Sequence, residues 1–201
     1  MELKPAKRVG KVFRYSRWDL IPALLVYVHL ALIVGLFVAW PSLPWPARIG
    51  GACLYGLAIG WNLDSVSHNF IHNPFFVSPL LNRITEFALS LELGTPQTMY
   101  RFVHMQHHAG NSDRPGPNGR TIDPISLYQF GADGKAERML SYVFLQFWRD
   151  DGPFTVARHI RAKRPAEARR ALQEFWVIVG VYGAMALVHW QFVAVLAPRC
   201  S

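Results

Sequence analysis

The sequence predicts an all-α integral membrane protein with about three transmembrane helices and short interfacial helices on the cytoplasmic side. Three observations lead there. Residues 21–40 (IPALLVYVHLALIVGLFVAW) and residues 175–197 run without Asp, Glu, Lys or Arg, at the length of roughly 20 residues that crosses a hydrocarbon core. Residues 49–63 are also apolar and uncharged, with Arg48 before them and Asp64 after them. The basic residues are laid out unevenly around these three runs. The average apolar content of 51% decides little beside their placement.

The charge layout sets an expected orientation. Six Lys/Arg precede the first run (Lys4, Lys7, Arg8, Lys11, Arg14, Arg17), only Arg48 lies between the first two, thirteen lie between the second and third, and Arg199 follows. Cationic segments stay on the cytoplasmic side, so the N-terminus and the large central segment are placed there. A net charge of +8 on this layout does not describe a nucleic-acid module, which needs a basic face on a soluble fold. A secretory signal is a poor alternative for the first run: the basic start fits, but the run is too long, and Trp40 and Pro41 make no small-residue cleavage site. Cys53 and Cys200 fall towards the outer side and form no Cys-x-x-Cys pair.

Taken in order, the first run ends at a turn, PSLPWP, whose three prolines stop the helix. The second run carries Ala52, Gly56 and Gly60 at four-residue spacing, a small-residue stripe expected to bring it close to the first. It continues without a stop signal to His72. Residues 49–72 are 24 in number, about 36 Å of helix, enough to lift His68 and His72 clear of the bilayer. A short helix follows, with Ser78 as N-cap, Pro79 at the first position and Gly94 and Pro96 at the end. Its stripe of Leu80, Leu81, Ile84, Phe87, Ala88 and Leu91 suits the membrane interface. Residues 110–134 are rich in turn formers. Residues 135–150 are expected to resume as an interfacial helix carrying Met139, Leu140, Phe144, Phe147 and Trp148. Residues 158–170 form a basic stretch broken at Pro165, suited to anionic headgroups. Residues 1–201 read as one domain without internal repeats.

Five of the eight histidines fall in two short groups, His68 with His72, and His104 with His107 and His108. Residues three or four apart share a helix face, so each group points one way, with Asp64 one turn before His68. Clustered neutral imidazoles suit iron, zinc, copper or nickel, and the ligand type alone does not choose among them. One histidine by itself is ordinarily structural; five in two helix-spaced groups are metal ligands. Asp64 is either a carboxylate orienting a metal-bound imidazole or a cap on polar groups at the helix exit. His159 is a solvated residue or an extra ligand. His29 and His189, alone within apolar runs, are expected to form interhelical hydrogen bonds.

The motifs SHNFIHNPFF and GTPQTMYRFVHMQHHAGN, with the first at the cytoplasmic end of the second span, resemble the membrane fatty acid desaturase and hydroxylase superfamily. The resemblance in motif context runs over residues 61–123, and the hydrophobic topology extends it. It implies a non-haem di-iron centre held by His68, His72, His104, His107 and His108, with electrons from a ferredoxin, rubredoxin or cytochrome-type donor. The implied reaction places a double bond or hydroxyl in a lipid acyl chain with O2; a carotenoid or alkane hydroxylase or ketolase is the alternative within the superfamily. The family's third His-rich box and fourth span do not follow His108. The chain therefore reads as truncated after its third span and is expected to be inactive alone. Outside the superfamily, a non-catalytic membrane metal-binding scaffold is the rival. A zinc hydrolase is weakened because neither histidine group contains a glutamate to act as general base.

Overall fold

The computed structural model describes residues 12–110, 121, 123, 125–131, 133–149 and 152–196. It falls into two compact units, Met1–Gln97 with Leu172–Cys200, and Thr98–Ala171. Among the described residues the structure is helical, apart from one isolated antiparallel bridge between Phe13 and Phe76.

The first unit begins at that bridge, where Arg14 N–H donates to Phe75 O (2.8 Å) and Val77 N–H to Val12 O (2.9 Å). A capping box at Ser16 and Asp19 then starts a 3-10 turn that leads into α1 (Leu20–Ala39). A second 3-10 turn (Trp40–Ser42) ends α1 at the expected prolines, and α2 (Trp45–Trp61) returns. Arg48 closes this hairpin: its Nε donates to Leu43 O at 2.9 Å, and its guanidinium lies over the rings of Trp40 and Trp45. The helix then continues through a π-helical turn (Asn62–Ser67) into α3 (His68–His72). The unbroken run to His72 is as expected; the π turn within it is not. Such turns carry one extra residue per turn and concentrate at functional sites.

The close approach of α1 and α2 corrects the expected glycine stripe. A Cβ on Gly56 or Gly60 would meet nothing, whereas one on Gly51 would lie 2.7 Å from Leu36 Cδ2. Ala52 of the stripe packs against the cluster of Ile33, Trp40, Tyr55 and Phe192, Gly51 beside it meets Leu36, and Gly56 and Gly60 face open space.

Helix α4 (Pro79–Leu93) starts and stops as its sequence demands. The Ser78 hydroxyl accepts from Leu81 N–H, Pro79 takes the first position, and Gly94 ends the helix at φ 66, a left-handed conformation that glycine tolerates without a Cβ clash. Its apolar stripe is split between buried and exposed positions. Thr85, Ala88, Leu89, Ser90, Glu92 and Leu93 are buried, while Leu80, Leu81 and Ile84 of the apolar stripe are exposed. Thr85, Ser90 and Glu92 all have polar partners in this unit or at its edge, which turns the polar face inward.

The apolar packing of the unit has two centres. Ala23 and Val26 of α1 pack with Val66, Phe70, Phe75, Phe76, Ala88 and Leu89. Ile33, Trp40 and Tyr55 pack with Phe192 of α8 (Pro165–Leu196). Arg83 on α4 ion-pairs with Glu86 and with the buried Glu174 of α8. Helix α8 is interrupted at His189, whose φ −141 and ψ 76 are not helical. The hydrogen bond expected of His189 is absent among the described residues; its ring packs on Phe37 at 5.3 Å instead. The expectation for His29 holds, as described below. Cys53 is exposed and unpaired, and Cys200 lies outside the described residues.

Helices α1 and α8 are long and apolar enough to cross a membrane. Their exposed positions include Val28, Val34, Val38, Leu187 and Val188, and α2 adds Ile49, Leu54 and Leu57. Helix α2 is shorter, 17 residues before the π turn.

In the second unit, helix α6 (Met139–Arg149) begins later than expected. Residues 135–138 are not helical, because Glu137 N–H pairs with Leu127 O at 2.8 Å across the loop. Met139 and Leu140 are exposed; the side chains of Phe144, Phe147 and Trp148 lie outside the described residues. Helix α7 (Pro153–Lys163) buries Val156, Ala157 and Ile160, and Pro165 separates it from α8 as the sequence indicates.

Candidate metal centre

The two histidine groups lie on different units, and each has its own geometry. In the first unit, α3 carries His68 and His72 one turn apart. Their rings stand 5.1 Å apart, and one nitrogen of each lies within 4.8 Å of the other. The rings are thus presented together by helical spacing alone. Ser67, the last residue of the π turn, is fully buried, and its hydroxyl donates to Gln97 Oε1 at 2.6 Å. Gln97 N–H in turn donates to Ser90 Oγ at 3.0 Å. This chain of polar contacts fixes the backbone from which His68 leaves.

In the second unit, α5 (Gln97–Ala109) presents the other three. His104 is buried, and its Nε2 lies 2.9 Å from Nε2 of His108. That separation fits a hydrogen bond between two neutral rings. It also fits two ligands of one ion: with metal–nitrogen bonds of about 2.1 Å, nitrogens this close subtend about 90° at the ion. Such an angle belongs to adjacent positions of a six-coordinate ion. A tetrahedral zinc site would set them roughly 3.4 Å apart at the same bond length. The donor set and this spacing fit iron.

His107 is turned differently. Its Nδ1 lies 2.5 Å from Asp123 Oδ2, and its ring stands 5.9 Å from that of His104 and 5.8 Å from that of His108. Asp123 is fully buried; its other oxygen accepts from Ile125 N–H at 3.1 Å, and its own N–H donates to Thr121 Oγ1. A carboxylate on Nδ1 leaves Nε2 as the exposed donor atom, the arrangement that orients metal-binding imidazoles. Gly110 makes this contact possible. A Cβ there would lie 2.8 Å from Asp123 Cα and 2.9 Å from its backbone nitrogen.

Asp123 was not singled out as a site residue from sequence. It lies sixteen positions beyond His107 in an irregular loop, where no periodicity connects the two; a glycine directly after the helix was the only local sign. Asp64, the carboxylate that was singled out, is exposed and makes no hydrogen bond or ion pair among the described residues. His159 is exposed on α7.

A family model described as fatty acid desaturase matches residues 43–199, a stretch that contains both histidine groups. No curated protein and no solved structure gives a significant match.

Proposed function

Because the chain belongs to the fatty acid desaturase family, we propose that it is a membrane-bound, non-haem di-iron oxygenase acting on a lipid acyl chain. The observation that carries this reading is the arrangement on α5, where two imidazole nitrogens stand 2.9 Å apart and a third ring is held by a buried carboxylate. In this reading His68, His72, His104 and His108 are iron ligands, and His107 offers its Nε2 from the Asp123 anchor. Iron bound there supplies oxygen activation against an unactivated C–H bond. Forming a double bond removes two hydrogens from the chain; with two electrons from a donor and two protons, O2 leaves as two waters. The donor is a ferredoxin, rubredoxin or cytochrome-type protein. The protein's own groups hold the ligand rings in one tautomer and keep the polar junction at Ser67 rigid.

The same reading makes the chain a multi-pass protein. The run through α2, the π turn and α3 is the third span beside α1 and α8, and the histidines lie on the cytoplasmic side. Exposed aliphatic side chains on all three helices support this, since contiguous exposed apolar surface marks a partner or a lipid phase.

The test is metal content, followed by product. Protein purified without chelators should carry iron in preference to zinc, and His104→Ala should lose it. Membranes containing the chain, O2 and a reduced donor are then assayed for an unsaturated or hydroxylated acyl product, which the chain alone is not expected to form and which, if formed, the variant should lack. A hydroxylated carotenoid or alkane product would move the substrate class; zinc with no oxidised product would sink the proposal.

A further inference from the structure

Inside the first unit, away from both histidine groups, five polar side chains meet among apolar neighbours. His29 comes from α1, Tyr55 from α2, Asn62 from the first position of the π turn, Glu92 from α4 and Tyr182 from α8. His29, Tyr55, Asn62 and Glu92 are all buried, Glu92 completely. Asn62 Nδ2 contacts His29 Nδ1 and donates to Glu92 Oε2 at 3.4 Å, and that oxygen lies 3.3 Å from His29 Nδ1. Burial pushes the Glu92 carboxyl pKa up to about 9, so at neutral pH it is uncharged and can donate as well as accept. With Asn62 Nδ2 donating to His29 Nδ1, the ring proton sits on Nε2.

Each member of this trio keeps one unmet valence. His29 Nε2, Asn62 Oδ1 and Glu92 Oε1 are all buried with no hydrogen-bond partner among the described residues. The neighbouring phenols do not meet these needs. Tyr55 OH donates to Glu92 O at 3.2 Å and Tyr182 OH to Leu91 O at 2.8 Å, so their hydrogens are taken up by backbone carbonyls. Buried polar atoms in folded proteins are nearly always paired, and an orphan points to an occupant. Asn62 Oδ1 and Glu92 Oε1 each call for a hydrogen-bonding occupant, while His29 Nε2 lies across the ring from the Nδ1 that meets Asn62 and Glu92.

We propose that this cluster is a binding site for a neutral O–H ligand. Unmet oxygens on an amide and an uncharged carboxyl call for a group that can both give and accept hydrogens. A hydroxyl does both, and water supplies a second hydrogen as well. A cation or an anion finds no counter-charge beside these neutral groups. The sources are solvent water and the hydroxyl of a lipid alcohol entering from the bilayer. A polar group facing a bundle interior marks function rather than packing, and the π turn that begins at Asn62 fits such a site. None of the five residues belongs to the proposed metal centre, so the site stands or falls without it.

A crystal structure of the full chain grown from a lipidic mesophase tests the site directly. Density is expected within about 3.2 Å of Asn62 Oδ1 or Glu92 Oε1. An isolated peak identifies water, and density continuing into a tail identifies a lipid alcohol; native mass spectrometry of the same preparation would show the lipid mass only in the second case. Glu92→Gln, which keeps an acceptor oxygen, should retain the peak, and Asn62→Leu should lose it. Should Asn62→Leu fail to fold, an infrared band of the wild-type protein that shifts in H2 18O, or with deuterated lipid alcohol, decides the same question. Ordered side chains with no density between them, and no isotope-sensitive band, would overturn the proposal.

Discussion

Asp123 divides its two oxygens between the His107 ring and the backbone of Ile125, so it holds the imidazole and its own loop at once. Removing the charge while keeping the shape, as in Asp123→Asn, should weaken metal binding about 10- to 100-fold. The check is metal occupancy against a competing chelator, with helicity by circular dichroism unchanged. Gly110→Ala should reproduce much of that loss without touching a ligand, because its Cβ would collide with Asp123 backbone atoms. If Gly110→Ala binds metal as the parent does, the Asp123 contact is not what orients His107. Among the histidines themselves, His72→Ala and His107→Ala should lower metal content far more than His189→Ala, whose ring only packs on Phe37. His29→Ala should destabilise instead, by about 1–3 kcal/mol, since it strips a partner from buried Asn62 and Glu92. Equal metal loss at all four positions would indicate general misfolding. The ligand candidates were legible because three- and four-residue spacings are visible in any sequence. Asp123 was not, because loop geometry sets its approach.

At the scale of elements, the caps and breaks were legible and the faces were not. Ser78, Pro79 and Gly94 bound α4 as local backbone chemistry requires, and the turn prolines end α1. The sequence assigns the apolar stripe of α4 to the membrane interface but does not name the polar side chains that pack on its other face. Here Thr85, Ser90 and Glu92 find buried partners while Leu80 and Ile84 face out. In a lipid setting polar groups gain by turning into the bundle, because hydrocarbon offers them no hydrogen bonds. The glycines of α2 make the same point: a spacing pattern names candidates, and only the neighbouring helix shows which is used. Gly51→Leu should therefore destabilise by about 1–3 kcal/mol through overpacking against Leu36, whereas Gly56→Leu should be close to neutral. Thermal unfolding in detergent distinguishes them. A larger loss at Gly56 would mean that a surface the structure leaves open is in fact covered.

For the molecule as a whole, two kinds of information bear on placement in a bilayer, and they come from different residues. The helices contribute exposed aliphatic surface: Leu187 is 91% exposed, Leu57 73% and Val38 72%. Water would penalise such exposure on three helices at once, and a hydrocarbon phase would not. The charges contribute direction. One Lys/Arg lies in the turn after α1, against thirteen between α2 and the last apolar run, and cationic segments resist translocation. On the multi-pass reading proposed above, the turn at Pro41 is outside and the segment after α5 inside. A reporter fused after Ser42 should therefore report from the outer side of the membrane, and one fused after Ser112 from the cytoplasm. The second fusion matters more. The segment after Ser112 leads to Asp123, and a cytoplasmic electron donor can reach the histidines only if that segment shares its compartment. Accessible labelling of Ser112→Cys from outside intact cells would place α5 and its imidazoles on the wrong face for such a donor. The oxygenase reading would then fail, even if the histidines bind a metal.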